Sequence, residues 1–194
     1  AAADDDMLEP DPPNRKSAMS HPRFAPFWLG GEREEMSGLW ARNCFRKVSR
    51  KDLLPNDRVF SSRFHYHIKR DTITGRITRF KVRLVIQGHK MKASTEDKVG
   101  DYECSFAPVP HATVGRMIMA IAVAEDEECD AVDLTQAFIQ ADRLDEGVNG
   151  RWFMTPPPGS EEDDPDVVYE VLRPLYGIPS SARALNVTLD TWLK

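Results

Sequence analysis

The sequence has few of the features that mark secreted, membrane-spanning or zinc-binding proteins. It contains three cysteines, Cys44, Cys104 and Cys129, and no Cys-x-x-Cys pair, which argues against a disulfide framework or a zinc site and favours a reducing compartment. No apolar run reaches the roughly 18 residues that a membrane-spanning helix needs. The first six residues have neither the basic region nor the apolar core of a signal peptide. An initiating methionine is also absent, so we expect a part of a longer protein.

Basic residues are scarce over most of the chain and concentrated in one segment. The net charge is −5. From Arg42 to Lys92 there are 15 lysines and arginines against 3 acidic residues, whereas the remainder has 11 against 28. A segment this basic within an acidic chain suggests a polyanion as its partner. A basic face that is merely exposed to solvent is the alternative.

Composition also separates a lead-in from one domain. The first 26 residues contain five prolines and few apolar residues, which predicts a disordered or extended segment. We expect one domain over residues 27–194, which is within the size range of a single domain. A short helix is predicted over Glu32–Trp40 at its start.

The clearest structural signal is period-2 alternation in two neighbouring runs. Apolar residues alternate with basic ones over Ser62–Lys69 and again over Thr78–Ile86, and the turn-like segment Asp71–Gly75 lies between them. This pattern predicts a β-hairpin with an apolar face and a cationic face. Clustered cations repel each other unless a partner neutralises them, and phosphates are the natural partner. The cationic face would carry Arg63, His65, His67, Lys69, Arg79, Lys81 and Arg83.

Asp133 is the candidate metal ligand. It lies between two apolar residues in a predicted strand, where a buried carboxylate is costly unless it has a partner. Mg²⁺ is one possible partner, and a surface acid at a strand-to-turn junction is the alternative. The preceding apolar residues recur at helical spacing from Val114 to Ala122, which predicts an amphipathic helix with Thr113 as its N-cap. We expect this helix to end by Ala124 and to pack beside the sheet that contains Asp133.

The remaining segments have weaker signals. Residues 141–165 are rich in proline, glycine and acidic residues and are predicted to be mostly loop. A short strand is predicted over Val167–Leu172 and a turn over Leu175–Pro179. A helix is predicted over Ala182–Trp192.

Five blocks of this sequence resemble the reverse transcriptase domain of Ty1/copia-type retrotransposon polyproteins. The match extends in order over about Trp28–Lys194, and five blocks in order are far more specific than any one of them. The blocks are the basic hairpin with Gln87-Gly88, Asp101-Tyr102-Glu103 with Phe106-Ala107-Pro108-Val109, Val132-Asp133 with Ala137-Phe138, Phe153-Met154 with Pro157-Pro158-Gly159, and Leu175-Tyr176-Gly177-Ile178 with Arg183.

The resemblance implies an α/β (α+β) polymerase hand that is incomplete. The fingers would occupy about residues 27–110 and contain the basic hairpin, and the first half of a ferredoxin-like palm would occupy about residues 111–194. The parent activity would be RNA-directed DNA synthesis, with an RNA template, a DNA primer, a dNTP and Mg²⁺ (or Mn²⁺). A retroelement protein of this kind would be intracellular, in a cytoplasmic particle or the nucleus.

The resemblance also implies roles for particular residues. Asp133 would be the first of three catalytic carboxylates that hold the metal ions. Lys81 or Arg83 would contact the triphosphate or the template backbone, and the choice between them is open. Phe138 would lie under the sugar of the incoming nucleotide and exclude a 2′-hydroxyl by its bulk. Ser180 would occupy the floor of the nucleotide pocket. Nucleic acid would be contacted by Arg63, Lys69 and Arg79.

Several positions depart from the family pattern. Ser180 replaces a glutamine, Pro179 a lysine, and Leu185 and Phe64 replace tryptophans. The Tyr-x-Asp-Asp segment that supplies the other two catalytic acids does not occur in these 194 residues. We therefore expect this chain to be inactive by itself, as a truncated or decayed copy. The alternative is a non-catalytic module that binds nucleic acid through the basic hairpin.

Overall fold

The computed structural model describes residues 9–144, 150–160, 162 and 164–194. Helices and strands are mixed along the chain, which confirms the α/β class. The strands are β1 (Phe45–Ser49), β2 (Val59–Phe60), β3 (Ser62–Arg70), β4 (Ile77–Ile86), β5 (Phe153–Met154) and β6 (Val167–Val171). The helices are α1 (Arg15–Ser20), α2 (Ala25–Ala41), α3 (Ala112–Ala124), α4 (Ala137–Gln140) and α5 (Ser181–Leu193).

The predicted hairpin is confirmed. Strands β3 and β4 pair antiparallel, with Ser62 opposite Ile86 and Lys69 opposite Arg79. The Asp71 carboxylate closes the turn by accepting hydrogen bonds from the backbone N–H groups of Ile73 and Thr74. Alternate side chains face the core, as the period-2 pattern requires. The buried ones are Phe64, Tyr66, Ile68, Val82, Leu84 and Ile86.

The second sheet has four short strands in the order β1-β6-β5-β2. Strand β6 pairs antiparallel with both β1 and β5, and β5 pairs parallel with β2. The predicted strand near Val167 and the predicted C-terminal helix are therefore confirmed as β6 and α5. The inner strands are fully covered, because Phe153, Met154 and Val171 each have 0% of their surface exposed.

Helix α2 is longer than the sequence pattern predicted. It begins at Ala25 instead of Glu32, with Pro26 in its first turn, where the missing N–H of proline costs no hydrogen bond. Trp28 and Leu39 are buried near its two ends. The helix packs along β4, so it fixes one edge of the hairpin.

The lead-in differs from its prediction. Residues 15–20 form α1, in which Ala18 is completely buried. Asp11 accepts a hydrogen bond from the backbone N–H of Ile68 at 2.6 Å, and Arg15 forms an ion pair with Glu32 at 3.0 Å. Polar contacts with the hairpin and α2 thus order a segment that has little apolar surface, and the prediction of disorder is wrong for residues 9–26. Residues 1–8 lie outside the described part.

The predicted strand around Asp133 is absent. No strand is present over residues 129–134, and Val132 has 86% of its surface exposed. A strand needs a neighbour that satisfies its backbone N–H and C=O groups. Among the described residues, no strand pairs with this segment, so its alternating apolar residues do not form a strand.

Helix α3 is confirmed in its extent but not in its packing. It ends at Ala124 as predicted, but His111 caps its start instead of Thr113 and accepts from the Thr113 N–H. Met117, Ile118 and Ile121 have 57–59% of their surface exposed, so the predicted apolar face does not pack on a sheet. In the described part of the chain, no helix is both long and apolar enough to cross a bilayer.

Candidate nucleotide and nucleic-acid site

The hairpin places its cations in cross-strand pairs. Lys69 lies opposite Arg79, His67 opposite Lys81, and His65 opposite Arg83. Directly opposed side chains in an antiparallel pair have Cβ atoms about 4.5–5.5 Å apart. Of these pairs, Lys69 with Arg79 places two permanent positive charges side by side, and Lys81 and Arg83 follow on the same face of β4.

Acidic residues neutralise much of the basic segment outside the hairpin. Lys47 pairs with Glu162 at 2.6 Å, Lys51 lies 3.6 Å from Asp166, and the guanidinium of Arg46 binds Glu170. The excess of basic residues from Arg42 to Lys92 is therefore not one continuous cationic surface.

The hairpin cations are mostly without such partners. Arg79 pairs with Glu34 at 2.7 Å. Within the described ranges, no carboxylate lies within 4.0 Å of Arg63, Lys69, Lys81 or Arg83. The surface on which we predict polyanion binding is therefore the cationic face of the hairpin, not the whole basic segment.

The crowding of charge is visible at Lys81. Partial burial lowers the pKa of its ammonium, and the nearby charges of Arg83, Lys69 and Arg79 lower it further. An anion bound between these side chains would relieve that repulsion, which is the electrostatic property expected of a phosphate site.

A basic cavity of about 570 Å³ lies between the hairpin, α2 and the segment that follows α3. It brings together residues that are far apart in the sequence. Lys69, Arg79, Lys81 and Arg83 line it from the hairpin, and Asp133 and Tyr176 line it from elsewhere. The structure therefore unites the predicted phosphate-binding cations with the predicted metal ligand, although Asp133 is not on a strand.

Two other acids line the basic cavity. Glu34 is engaged by Arg79, and Glu35 accepts a hydrogen bond from the Leu84 N–H at 3.1 Å. Burial raises the pKa of Glu35, although this hydrogen bond and the charges of Arg83 and Lys81 oppose the rise.

The donor set does not fit two metal ions. In the described segments, no group of three or more histidine, cysteine, aspartate or glutamate side chains could hold a metal ion. Asp133 is exposed and Glu34 and Glu35 have other partners. The site as it stands is suited to binding phosphate through cations and lacks the ligands of a two-metal centre.

Three predicted site residues lie outside the basic cavity. Ser180 has 1% of its surface exposed at the start of α5, where its C=O accepts from the Ala184 N–H. Arg63 lines a separate cavity of about 340 Å³ beside Arg15. Phe138 is half-buried, and its ring packs against that of Tyr176 with centroids 5.3 Å apart.

Sequence reasoning gave no individual role to Tyr176. Its ring lies under the guanidinium of Arg83, with 4.8 Å from Cζ to the ring centroid. The only sequence signal was its position in the block Leu175–Ile178.

Asp101 belongs to the block Asp101-Tyr102-Glu103, and its contacts explain structurally why an aspartate stands at this position. Asp101 has 6% of its surface exposed. Its carboxylate accepts from the Arg58 guanidinium and from the Lys92 N–H, and its C=O accepts from the Trp152 indole N–H at 2.8 Å. It joins the loop after β4 to the four-stranded sheet, so its role is structural.

Comparison with known proteins agrees with these features. A family profile described as reverse transcriptase (RNA-dependent DNA polymerase) matches residues 46–194. The chain is 32% identical over 120 residues to a retrovirus-related Pol polyprotein from transposon RE2 of Arabidopsis thaliana, which covers 61% of the chain and 8% of that protein. It is 26% identical over 185 residues to the corresponding polyprotein from transposon TNT 1-94 of Nicotiana tabacum, which covers 95% of the chain and 13% of that protein. The chain thus spans only a small part of these relatives. No solved structure matches it significantly.

Proposed function

Because this chain belongs to the reverse transcriptase (RNA-dependent DNA polymerase) family, we propose that it supplies the nucleic-acid and nucleotide-binding part of a retrotransposon RNA-directed DNA polymerase. In the intact parent, the reaction would transfer a nucleotide from a dNTP to a primer 3′-end along an RNA template. The observation that carries this proposal is the basic cavity, in which four hairpin cations and Asp133 meet.

The position of each cation would determine whether it binds the incoming nucleotide or the nucleic acid. Lys81 and Arg83 line the basic cavity and have no carboxylate within 4.0 Å among the described residues, so we assign them to the phosphates of the incoming nucleotide. Lys69, Arg79 and Arg63 would contact the nucleic-acid backbone, for which sequence-independent charge is sufficient. Phe138 would restrict the sugar. Ser180 is buried, so its proposed role is limited to support of the pocket floor.

Reverse transcriptases use divalent metal ions, and Mg²⁺ or Mn²⁺ would be the ion in the parent. Asp133 is the one residue of this chain that we assign to metal binding. The remaining ligands are absent from the described residues, so we derive no catalytic step for this chain and propose that its 194 residues by themselves are inactive.

A non-catalytic nucleic-acid-binding module is the second candidate function. The unpaired hairpin cations support it as well as they support a polymerase part. Nucleotide binding distinguishes the two: a polymerase part should bind a free dNTP in the basic cavity and lose affinity on Arg83→Gln, whereas a module that recognises only nucleic acid should bind none.

The nucleic-acid contact can be tested by salt titration. Binding to an RNA–DNA hybrid should weaken with salt, with log K falling by roughly 0.9 per log unit of salt for each neutralised phosphate. Lys69→Gln and Arg63→Gln should each reduce that slope by roughly 1 because each removes a contact with a backbone phosphate. Fluorescence anisotropy at several salt concentrations gives the slopes.

Lys51→Gln is the matched control. Its side chain is 82% exposed beside Asp166, and it belongs to neither strand of the hairpin, so the slope of Lys51→Gln should equal that of the wild type. An equal loss of slope in Lys51→Gln, or no binding at low salt, would contradict the proposed contact surface.

A further inference from the structure

We propose that Tyr176 is a positioning residue of the nucleotide site, which holds the Arg83 guanidinium at the basic cavity and supports Phe138 behind it. This inference rests on the proposed nucleotide-binding function. It gives a role to a residue that touches no phosphate and is not itself catalytic.

The first argument is the stacking arrangement. The Arg83 Cζ atom lies 4.8 Å from the Tyr176 ring centroid, and the Phe138 ring lies 5.3 Å from the same ring at an interplanar angle of 67°. The first contact has cation–π geometry and the second is an edge-to-face aromatic pair. Tyr176 lines the basic cavity, so its ring connects the cation to the aromatic residue proposed to restrict the sugar.

The second argument is the way the Tyr176 backbone is fixed. Tyr176 forms a parallel bridge with Val85, and its C=O accepts from the Ile86 N–H at 2.9 Å. These bonds join Tyr176 to the strand that carries Arg83. The backbone that carries the Tyr176 ring is therefore hydrogen-bonded directly to the strand that carries the Arg83 guanidinium.

Two glycines make this docking possible. Gly177 has φ +90°, and a Cβ there would lie 2.0 Å from the Ile86 carbonyl oxygen. A Cβ on Gly88 would lie 1.8 Å from the Gly177 carbonyl oxygen. Both distances are too short for any side chain, so the close approach of the turn to the end of β4 depends on these glycines.

The third argument concerns the polar atoms of Arg83. Its Nε is buried and has no hydrogen-bond partner among the described residues. The Tyr176 ring packs against this guanidinium, with Cζ 4.8 Å from the ring centroid. A side chain held in this way loses less conformational freedom when an anion binds to its terminal nitrogens, and such preorganisation increases affinity.

The test measures binding of inorganic tripolyphosphate to the purified chain by calorimetry in metal-free buffer. Tyr176→Met removes the ring face and should weaken binding roughly 3- to 10-fold, the range that a partly buried cation–π contact allows. Tyr176→Phe keeps the ring and should change binding less than about twofold. In an Arg83→Gln background, Tyr176→Met should have no additional effect, because coupled residues are not additive.

A second readout does not depend on any ligand. The Arg83 Nε–Hε resonance should show the ring-current shift of Tyr176 in the wild type and in Tyr176→Phe, and lose it in Tyr176→Met. Absence of the shift in the wild type, or unchanged tripolyphosphate affinity in Tyr176→Met, would overturn the positioning role. If Tyr176→Met does not fold, pentafluorophenylalanine in place of Tyr176 is compared with Tyr176→Phe. It keeps the shape of the ring but removes the negative ring face, so tripolyphosphate binding should be roughly 3-fold or more weaker than in Tyr176→Phe, and equal binding by these two proteins would overturn the positioning role.

The outcomes separate this inference from the proposed function. A wild-type chain that fails to bind tripolyphosphate would overturn both. Equal tripolyphosphate affinity of the wild type and Tyr176→Met would overturn only the role of Tyr176.

Discussion

At the scale of single residues, one buried carboxylate connects three elements of the fold. Glu32 is 4% exposed and accepts hydrogen bonds from the Tyr66 hydroxyl at 2.5 Å and from the Arg15 guanidinium at 3.0 Å. Burial and the Glu32 carboxylate both raise the pKa of Tyr66, so the hydroxyl stays protonated and donates. This carboxylate joins α1, α2 and β3, because each of its partners lies on a different element.

Asp101→Ala should lower the free energy of unfolding by about 2–4 kcal/mol, since it removes two hydrogen bonds to a buried carboxylate, one of them from a charged donor. Asp101 accepts from Arg58 and from the Lys92 N–H. Urea denaturation followed by circular dichroism measures the change.

Glu103→Ala is the control for that measurement. Glu103 belongs to the same sequence block but is exposed, so its effect should stay within about 0.5 kcal/mol. Equal destabilisation by the two variants would show that the block as a whole, and not the Asp101 hydrogen bonds, stabilises the loop.

At the scale of elements, the hairpin shows what a local pattern can predict, and the Asp133 segment shows where such a pattern fails. The hairpin could be predicted because Ser62–Ile86 contains both strands and their turn, so each strand finds its partner within the pattern. The Asp133 segment has the same apolar alternation but no neighbouring strand in the described residues, and alternation alone cannot supply one. The basic cavity could not be predicted as a cavity, because Tyr176 reaches it only through pairing with β4.

The order of the lead-in depends on titratable contacts. Asp11 accepts from the Ile68 N–H and lies 2.7 Å from His67 Nδ1. Burial alone would raise the pKa of Asp11, but the hydrogen bonds from His67 and Ile68 and the nearby histidine charges outweigh it, and the pKa is lowered.

Asp11→Asn should therefore lower the melting temperature at neutral pH, and the difference from the wild type should disappear in acid. A carboxyl whose pKa is lowered by folding stabilises the folded state above its unfolded-state pKa, and that contribution is lost as pH falls through the folded value. Melting curves of both proteins between about pH 7 and about pH 3, a range that includes the ordinary carboxyl pKa, measure this difference.

Asp97→Asn is a suitable control because Asp97 is exposed in the loop after β4. It should leave the pH dependence of the melting temperature unchanged. A constant difference between Asp11→Asn and the wild type at every pH would mean that the charge of Asp11 does not contribute.

At the scale of the whole molecule, several basic residues outside the hairpin are paired with acidic residues from distant segments. The loop before β6 neutralises Lys47 and Lys51, and Glu170 neutralises Arg46. Among the described residues, Lys69, Lys81 and Arg83 at the basic cavity have no carboxylate within 4.0 Å, whereas Arg79 pairs with Glu34. The apolar side chains of α3 are also uncovered in the described part of the chain. The cations of the proposed binding surface are therefore present, whereas the described residues lack the further ligands that a metal ion at Asp133 would need.

This difference predicts that the 194 residues bind nucleic acid without extending a primer. Asp133 is the one acid assigned to metal binding, and the described residues contain no cluster that could hold a metal ion. A single exposed carboxylate cannot bind the two ions that clamp the attacking and leaving oxygens in a phosphoryl-transfer site. RNA-templated extension of a labelled DNA primer, measured with Mg²⁺ and with Mn²⁺, should show no incorporation, while the same preparation binds the hybrid. Asp133→Asn separates the outcomes: incorporation that disappears in this variant would contradict the proposed inactivity, and incorporation that is equal in both proteins would come from a contaminating polymerase.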